Sequence, residues 1–145
     1  MNNRQEFSGY QVSRLLGKGA MGEVYLARDA LLDRAVAIKV LARASSTAEL
    51  RERFMVEARA IARLQHPNVV TIYQGGQMAD ATPYLVYEYV RGKPLDSLVR
   101  PITGDLALRI GLDISAGLAA ANRKGVLHRD VKPANAILSD EGEIK

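Results

Sequence analysis

The sequence predicts an α+β fold, in which a small antiparallel sheet carrying one helix is followed by the beginning of a helical region. Three observations support this. From Tyr10 to about Leu41, apolar and polar residues alternate in short runs around a glycine-rich turn at 17–22, as in a meander of strands. The segment SSTAELRERFMVEARAIARLQHPNVV then shows helical periodicity, and GDLALRIGLDISAGLAAANRKG is a longer helix with a glycine at its end.

The first helix is expected to start at a capping box, Ser46 with Glu49 three residues on, and to stop near the HPN turn. VVTIYQGG and PYLVYEYV read as two further strands joined by the loop around MADAT. RGKPLDSL contains glycine and proline and reads as a linker into a short helix. A boundary therefore falls near Val90–Pro94, with a mostly sheet region over 10–90 and a helical one over 91–145.

With 145 residues, 48% of them hydrophobic and 25% charged, the chain has the length and balance of one globular domain. The net charge of +4 comes from scattered cations, which points to solubility and away from a nucleic-acid partner. The absence of cysteine excludes disulfides and thiolate metal sites within these residues and fits a cytoplasmic setting. MNNRQEFSGY lacks the apolar core of a signal peptide, and no apolar run approaches the roughly 20 residues needed to span a bilayer.

Three constellations carry chemistry. Gly17, Gly19 and Gly22 form GKGAMGEV, a G-x-G-x-x-G pattern that a plain hairpin turn would also satisfy. A dinucleotide fold would open a helix at the third glycine and place an acid about 20 residues on, whereas EVYLA alternates as a strand and VAIKV occupies that distance. A glycine loop between two antiparallel strands can instead close over phosphates, because its N–H groups approach the oxygens unhindered.

Lys39 shares a strand face with Ala37 and Leu41, while Val36, Ile38 and Val40 share the other. Two apolar faces imply a buried strand, and a buried ammonium needs an anion. In the helix, Glu57 falls on the apolar stripe of Leu50, Phe54, Ala58 and Ile61. Two pairings are open: a solvated pair with Arg53 one turn back, or a Lys39–Glu57 pair that leaves the ammonium free for a nucleotide phosphate.

VLHRDVKPANAIL, following the long helix, sets Asp130, Lys132 and Asn135 on a loop that Pro133 keeps from continuing as helix. A carboxylate, an ammonium and an amide offer a proton acceptor, a phosphate clamp and a hard-metal oxygen ligand.

Taken in order, GKGAMGEV, VAIK, Glu57 and HRDVKPAN resemble the glycine-rich loop, third-strand lysine, helix C glutamate and catalytic loop of eukaryotic-type protein kinases, particularly the bacterial serine/threonine kinases. The resemblance covers Tyr10 to Lys145. It implies a protein-kinase-like α+β fold: an antiparallel-sheet N-lobe with helix C, then the hinge exit and the beginning of a helical C-lobe, truncated at Lys145.

The resemblance further implies ATP and Mg2+ as cofactors and Ser/Thr-bearing proteins as substrates. Leu16, Gly17, Lys18, Gly19, Ala20, Met21 and Gly22 would cover the phosphates, and Lys39, positioned by Glu57, would bind the α- and β-phosphates. Val24 and Ala37 from above and Ile137 from below would sandwich adenine against a hinge at Glu88 to Val90, with Tyr87 leaving the back of that pocket small. Asp130 would orient or accept the proton of the substrate hydroxyl, Lys132 would clamp the γ-phosphate as in serine/threonine kinases, and Asn135 would hold magnesium. Arg129 is similar to the arginine that binds an activation-loop phosphate. Ile61, Ile72 and His128 resemble members of the family's internal hydrophobic column, and His66 is expected to be structural.

The sequence departs from the family at Ala136, where a larger aliphatic residue is usual. It also contains no Asp-Phe-Gly segment, whose aspartate would fall past Lys145, and no activation loop; the 145 residues alone are therefore expected to transfer no phosphate. Membrane anchoring beyond Lys145 stays open. Two alternatives stand beside the leading reading: a small-molecule kinase sharing the H-x-D-x-x-x-x-N loop, and a non-catalytic, pseudokinase-like nucleotide-binding or interaction module.

Overall fold

The first strands form where β-branched and aliphatic residues alternate. In the computed structural model, which describes residues 7–19, 22–42 and 47–145, β1 (Tyr10–Gly19), β2 (Gly22–Asp29) and β3 (Arg34–Leu41) are antiparallel neighbours. Helix α1 (Ala48–Ile61) follows, then β4 (Ile72–Gln77) and β5 (Pro83–Glu88), which complete a five-stranded sheet in the order β1-β2-β3-β5-β4. The chain divides into two units. One comprises residues up to Ala62 with Thr71–Tyr89, the other Arg63–Val70 with Val90–Lys145.

In the first unit, the period of two assigns the sheet two unlike faces. On one, Val36, Ile38 and Val40 of β3 pack with Ala27, Tyr84 and Val86, and the core is sealed by Phe7, whose ring meets Tyr84 edge-on at 5.0 Å. On the other, Leu41 and Leu85 pack against Phe54 and Ala58 of α1, with Met55, Ile72 and Tyr87 around them. Ala37 and Lys39 lie on this second face and are only half-buried. The expectation that both faces of β3 are buried therefore holds for one face and is corrected for the other, where α1 covers only the Leu41 end.

Helix α1 starts one residue later than the capping-box reading, at an N-cap Thr47 whose Oγ1 accepts from Leu50 N–H. Ser46 lies outside the described residues. The helix ends at Ile61 with Ala62 as its cap, short of the HPN turn, where His66 accepts through Nδ1 from Asn68 N–H.

The second unit contains α2 (Gly104–Arg123), capped by Thr103 Oγ1 accepting from Leu106 N–H. The helix ends at Arg123 with Lys124 as its cap, and Gly125 follows with a φ of +73° that suits a glycine. RGKPLDSL, expected as a linker, supplies β6 (Gly92–Pro94) and a 3-10 turn at Leu95–Ser97. β6 pairs with β7 (Ile137–Ser139), a strand the sequence reading did not assign. Pro133 does not merely stop a helix; it opens a second 3-10 turn, Pro133–Asn135. Behind these turns Leu95, Ala136 and Ile144 form a small core, so the short side chain at Ala136 is a packed residue. Among the described residues no helix is long and apolar enough to cross a membrane.

Candidate active site

The glycine-rich segment is the β1–β2 hairpin, with Gly17 opposite Val24, Lys18 opposite Glu23 and Gly19 opposite Gly22. Gly22 has φ +140° and sits so close to β3 that an added Cβ would lie 1.9 Å from Val40 O, so only glycine fits. At Gly17 and Gly19 a Cβ would meet nothing within 4 Å. Those two glycines leave a bare backbone on the open side of the hairpin, where packing within the fold gives no reason for the missing side chains. Ala20 and Met21 lie outside the described residues. Leu16 falls within a break in the β1–β2 register between Leu15 and Gly17. Lys18 Nζ sits 2.9 Å from Glu23 Oε1, which holds its ammonium above the usual lysine range and ties the two arms of the hairpin together.

In register, Lys39 lies between Val24 on β2 and Leu85 on β5, and Ala37 lies between Leu26 and Tyr87. Cross-strand partners share a face, so Val24, Ala37, Lys39 and Tyr87 are brought to one side of the sheet, with Glu88 next along β5. Glu88 accepts from Thr71 N–H at 3.2 Å. Burial pushes the Tyr87 phenol up to about 12, and the residue packs against the cluster of Leu41, Phe54, Ala58 and Leu85.

The ion pairing of Glu57 differs from the sharper of the two expectations. Its Oε1 is 3.2 Å from Arg53 Nε, one turn back on α1, and no carboxylate lies within ion-pair distance of Lys39 among the described residues. Burial draws the Lys39 ammonium below the usual lysine range, and the charge of Glu57 only partly opposes this. The physical reason is proximity: Arg53 is on the same helix face at i,i+4, whereas Lys39 is on another element. A half-buried cation without a contacting carboxylate fits an anionic ligand such as a phosphate.

In the second unit the loop following α2 gathers Asp130, Lys132 and Asn135. Lys132 Nζ is 2.8 Å from Asp130 Oδ2, and Asn135 Nδ2 donates to Asp130 Oδ2 at 2.9 Å and to its backbone carbonyl at 2.8 Å. Lys132 first, then Asn135, hold the Asp130 carboxyl below the usual carboxylate range. The hairpin-like path of the loop depends on Arg129 at φ +61° and on the 3-10 turn that brings Asn135 back towards Asp130. With Nδ2 committed to Asp130, the amide oxygen of Asn135 is the atom left for a hard cation. An amide oxygen beside a carboxylate suits magnesium. His128 was expected in an internal column; it is exposed, and its Nδ1 accepts from Asp130 N–H at 3.3 Å. Val90 and Ile137 are half-buried, Ile137 pairing with Pro94.

Sequence reasoning gave no site role to Arg53 or Glu23. The i,i+4 spacing of Arg53 was the available signal; that of Glu23, opposite Lys18 across a glycine hairpin, required the register.

The protein kinase domain family matches this chain over residues 10–145, and the chain belongs to that family. Its relatives are bacterial serine/threonine kinases. It is 40% identical over 147 residues to the serine/threonine-protein kinase PksC of Streptomyces coelicolor, covering 94% of this chain and 26% of that protein. It is 41% identical over 145 residues to PknA of Mycobacterium tuberculosis, covering 94% of this chain and 33% of that protein. The crystal structure of the M. tuberculosis PknI kinase domain superposes with a TM-score of 0.82 at 33% identity, covering 99% of this chain and 59% of that one. The chain thus spans a third or less of these two curated relatives.

Proposed function

We propose that the chain supplies the nucleotide-holding and hydroxyl-orienting parts of an ATP- and Mg2+-dependent serine/threonine protein kinase. The observation that carries this is the Asp130–Lys132–Asn135 cluster, held by three hydrogen bonds or ion pairs within 2.9 Å. An ionised carboxylate beside an ammonium and an amide suits a group that aligns a hydroxyl while a cation stabilises the phosphoryl oxygens. Asp130 takes the role of orienting the Ser or Thr hydroxyl, Lys132 that of the γ-phosphate clamp, and Asn135 that of magnesium ligand through its amide oxygen. Lys39 binds the α- and β-phosphates, its missing carboxylate contact leaving its charge available to them. The bare backbone at Gly17 and Gly19 lets N–H groups approach phosphate oxygens, and Val24 and Ala37 contact adenine.

Magnesium, when bound, neutralises charge on the transferring phosphates. The family also uses an Asp-Phe-Gly aspartate for that ion, and these 145 residues contain none, so the chain alone is proposed to transfer no phosphate. The relatives' names support protein Ser and Thr as acceptors. Incubating the full-length gene product with labelled ATP, a histone and a panel of aminoglycoside and choline acceptors tests this. Phosphoserine or phosphothreonine on the histone is expected; label on the small acceptors alone would replace the reading with that of a small-molecule kinase.

A further inference from the structure

Glu23 stands where the fold alone would favour an apolar side chain. Its neighbours across the sheet are Lys18 on β1 and Val40 on β3, and Tyr25, two residues on, lies opposite Ile38. Val40 and Ile38 belong to the core that Phe7 seals, and Tyr25 packs against the same core with its ring centroid 6.4 Å from that of Phe7. Cross-strand partners share a face, so Lys18, Glu23 and Tyr25 lie on the Phe7 face of the sheet, while Val24 and Lys39 lie on the other. A carboxylate only 28% exposed at the end of an apolar face is costly unless it is partnered. Two partners meet it: Tyr25 OH donates to Glu23 Oε2, and Lys18 Nζ, on a side chain 72% exposed, lies 2.9 Å from Oε1.

We propose that Glu23 is a positioning residue for the glycine hairpin: it joins Tyr25, anchored in the core, to Lys18 on the opposite arm, and so fixes the backbone at Gly17 and Gly19 from the face away from Val24 and Lys39. That arm has little else to hold it. The β1–β2 register breaks between Val12 and Arg14 and again between Leu15 and Gly17, and Gly17 and Gly19 contribute no side-chain packing. Lys18 is the residue between those two glycines, so a tie on its ammonium restrains both neighbouring peptide units. Because the tie sits behind the hairpin, it acts on a phosphate through the backbone and not by contact. A hairpin ordered beforehand spares a ligand part of the cost of ordering it. An ion pair with one exposed partner biases such an equilibrium by about two- to five-fold, so Glu23 tunes the hairpin and does not close it.

The inference rests on the proposed reading of the hairpin as a phosphate cover, and the test separates the two. Amide hydrogen exchange over residues 15–19 is followed by mass spectrometry in the nucleotide-free full-length gene product and in its Glu23→Gln, Lys18→Met, Lys18→Arg and Lys18→Met/Glu23→Gln variants. Affinities for Mg-ATP and for adenosine, which has no phosphate, are measured by calorimetry on the same proteins and on Gly19→Ala. Glu23→Gln and Lys18→Met are each expected to speed exchange and to weaken Mg-ATP about two- to five-fold while leaving adenosine unchanged. Lys18→Arg is expected to keep the wild-type values, and Lys18→Met to add nothing in the Glu23→Gln background, since both break one tie. Lys18 is exposed, so Lys18→Met keeps the test decisive should Glu23→Gln lose stability. Unmoved exchange, or losses that add in the double variant, overturns the proposal, and a Gly19→Ala that still weakens Mg-ATP then leaves the phosphate-cover reading standing. Faster exchange with Mg-ATP affinity unmoved in every variant, Gly19→Ala included, overturns that reading and the positioning role with it.

Discussion

Lys132 Nζ lies 2.8 Å from Asp130 Oδ2, and Asn135 Nδ2 reaches the same oxygen at 2.9 Å. One carboxylate oxygen is therefore doubly engaged, while Oδ1 is left to accept a hydrogen bond from a hydroxyl. The arrangement keeps Asp130 ionised, oriented and exposed.

Because the folded Asp130 carboxyl is held below its ordinary range, its contribution favours the folded state above that range and is lost as pH falls through the lowered value. Lys132→Ala removes the larger cause and is expected to raise the Asp130 midpoint, and Asn135→Ala to raise it less. Carboxyl carbon shifts followed by NMR across pH 2 to 6 check both; a midpoint unchanged in Lys132→Ala would show that the pair does not persist in solution.

Gly22 and Gly19 separate folding from binding. Gly22→Ala forces a Cβ to 1.9 Å from Val40 O at a positive φ and is expected to cost about 2 kcal/mol or more. Gly19→Ala meets open space and is expected to leave the melting temperature nearly unchanged while weakening Mg-ATP binding several-fold. Thermal denaturation with nucleotide titration resolves the two, and equal stability losses would contradict this division.

Lys39→Met replaces a half-buried ammonium by an apolar side chain of similar length. Since burial disfavours the charge, the variant is expected to be as stable as the parent or slightly more so. Nucleotide affinity, measured by calorimetry with Mg-ATP, is expected to fall at least ten-fold. Undiminished affinity would remove Lys39 from the site.

Phe7 is 3% exposed and stacks edge-on against Tyr84, sealing the sheet face opposite α1. Phe7→Ala is expected to destabilise the sheet unit by about 3–5 kcal/mol, read as a lower denaturation midpoint. A loss below about 1 kcal/mol would mean the aromatic plug is dispensable.

Much of this was legible in the chain itself. Alternating segments such as EVYLA, residues 23–27, and helices with a clear apolar period announce their own geometry, because burial acts residue by residue. The polar cluster at Asp130, Lys132 and Asn135 was legible because such types in one short segment rarely serve a core. What escaped depends on partners distant in sequence. β7 exists because β6 lies beside it, and Phe7 is core because Tyr25 and Tyr84 receive it. Glu57 was read as lying on the apolar stripe, yet it is half-exposed, and the choice between Arg53 one turn back and Lys39 on the sheet rests on distances between elements that periodicity does not encode.

The central claim is that Asp130 serves transfer of the ATP γ-phosphate to a protein hydroxyl. The measurement that tests it most directly is phosphate transfer from labelled ATP to serine and threonine by the full-length gene product, wild type beside Asp130→Asn. The account predicts phosphoserine or phosphothreonine from the wild type and a loss of several powers of ten in the variant, with ATP binding retained. Equal transfer by both proteins, or nucleotide binding without any transfer by the wild type, would contradict it.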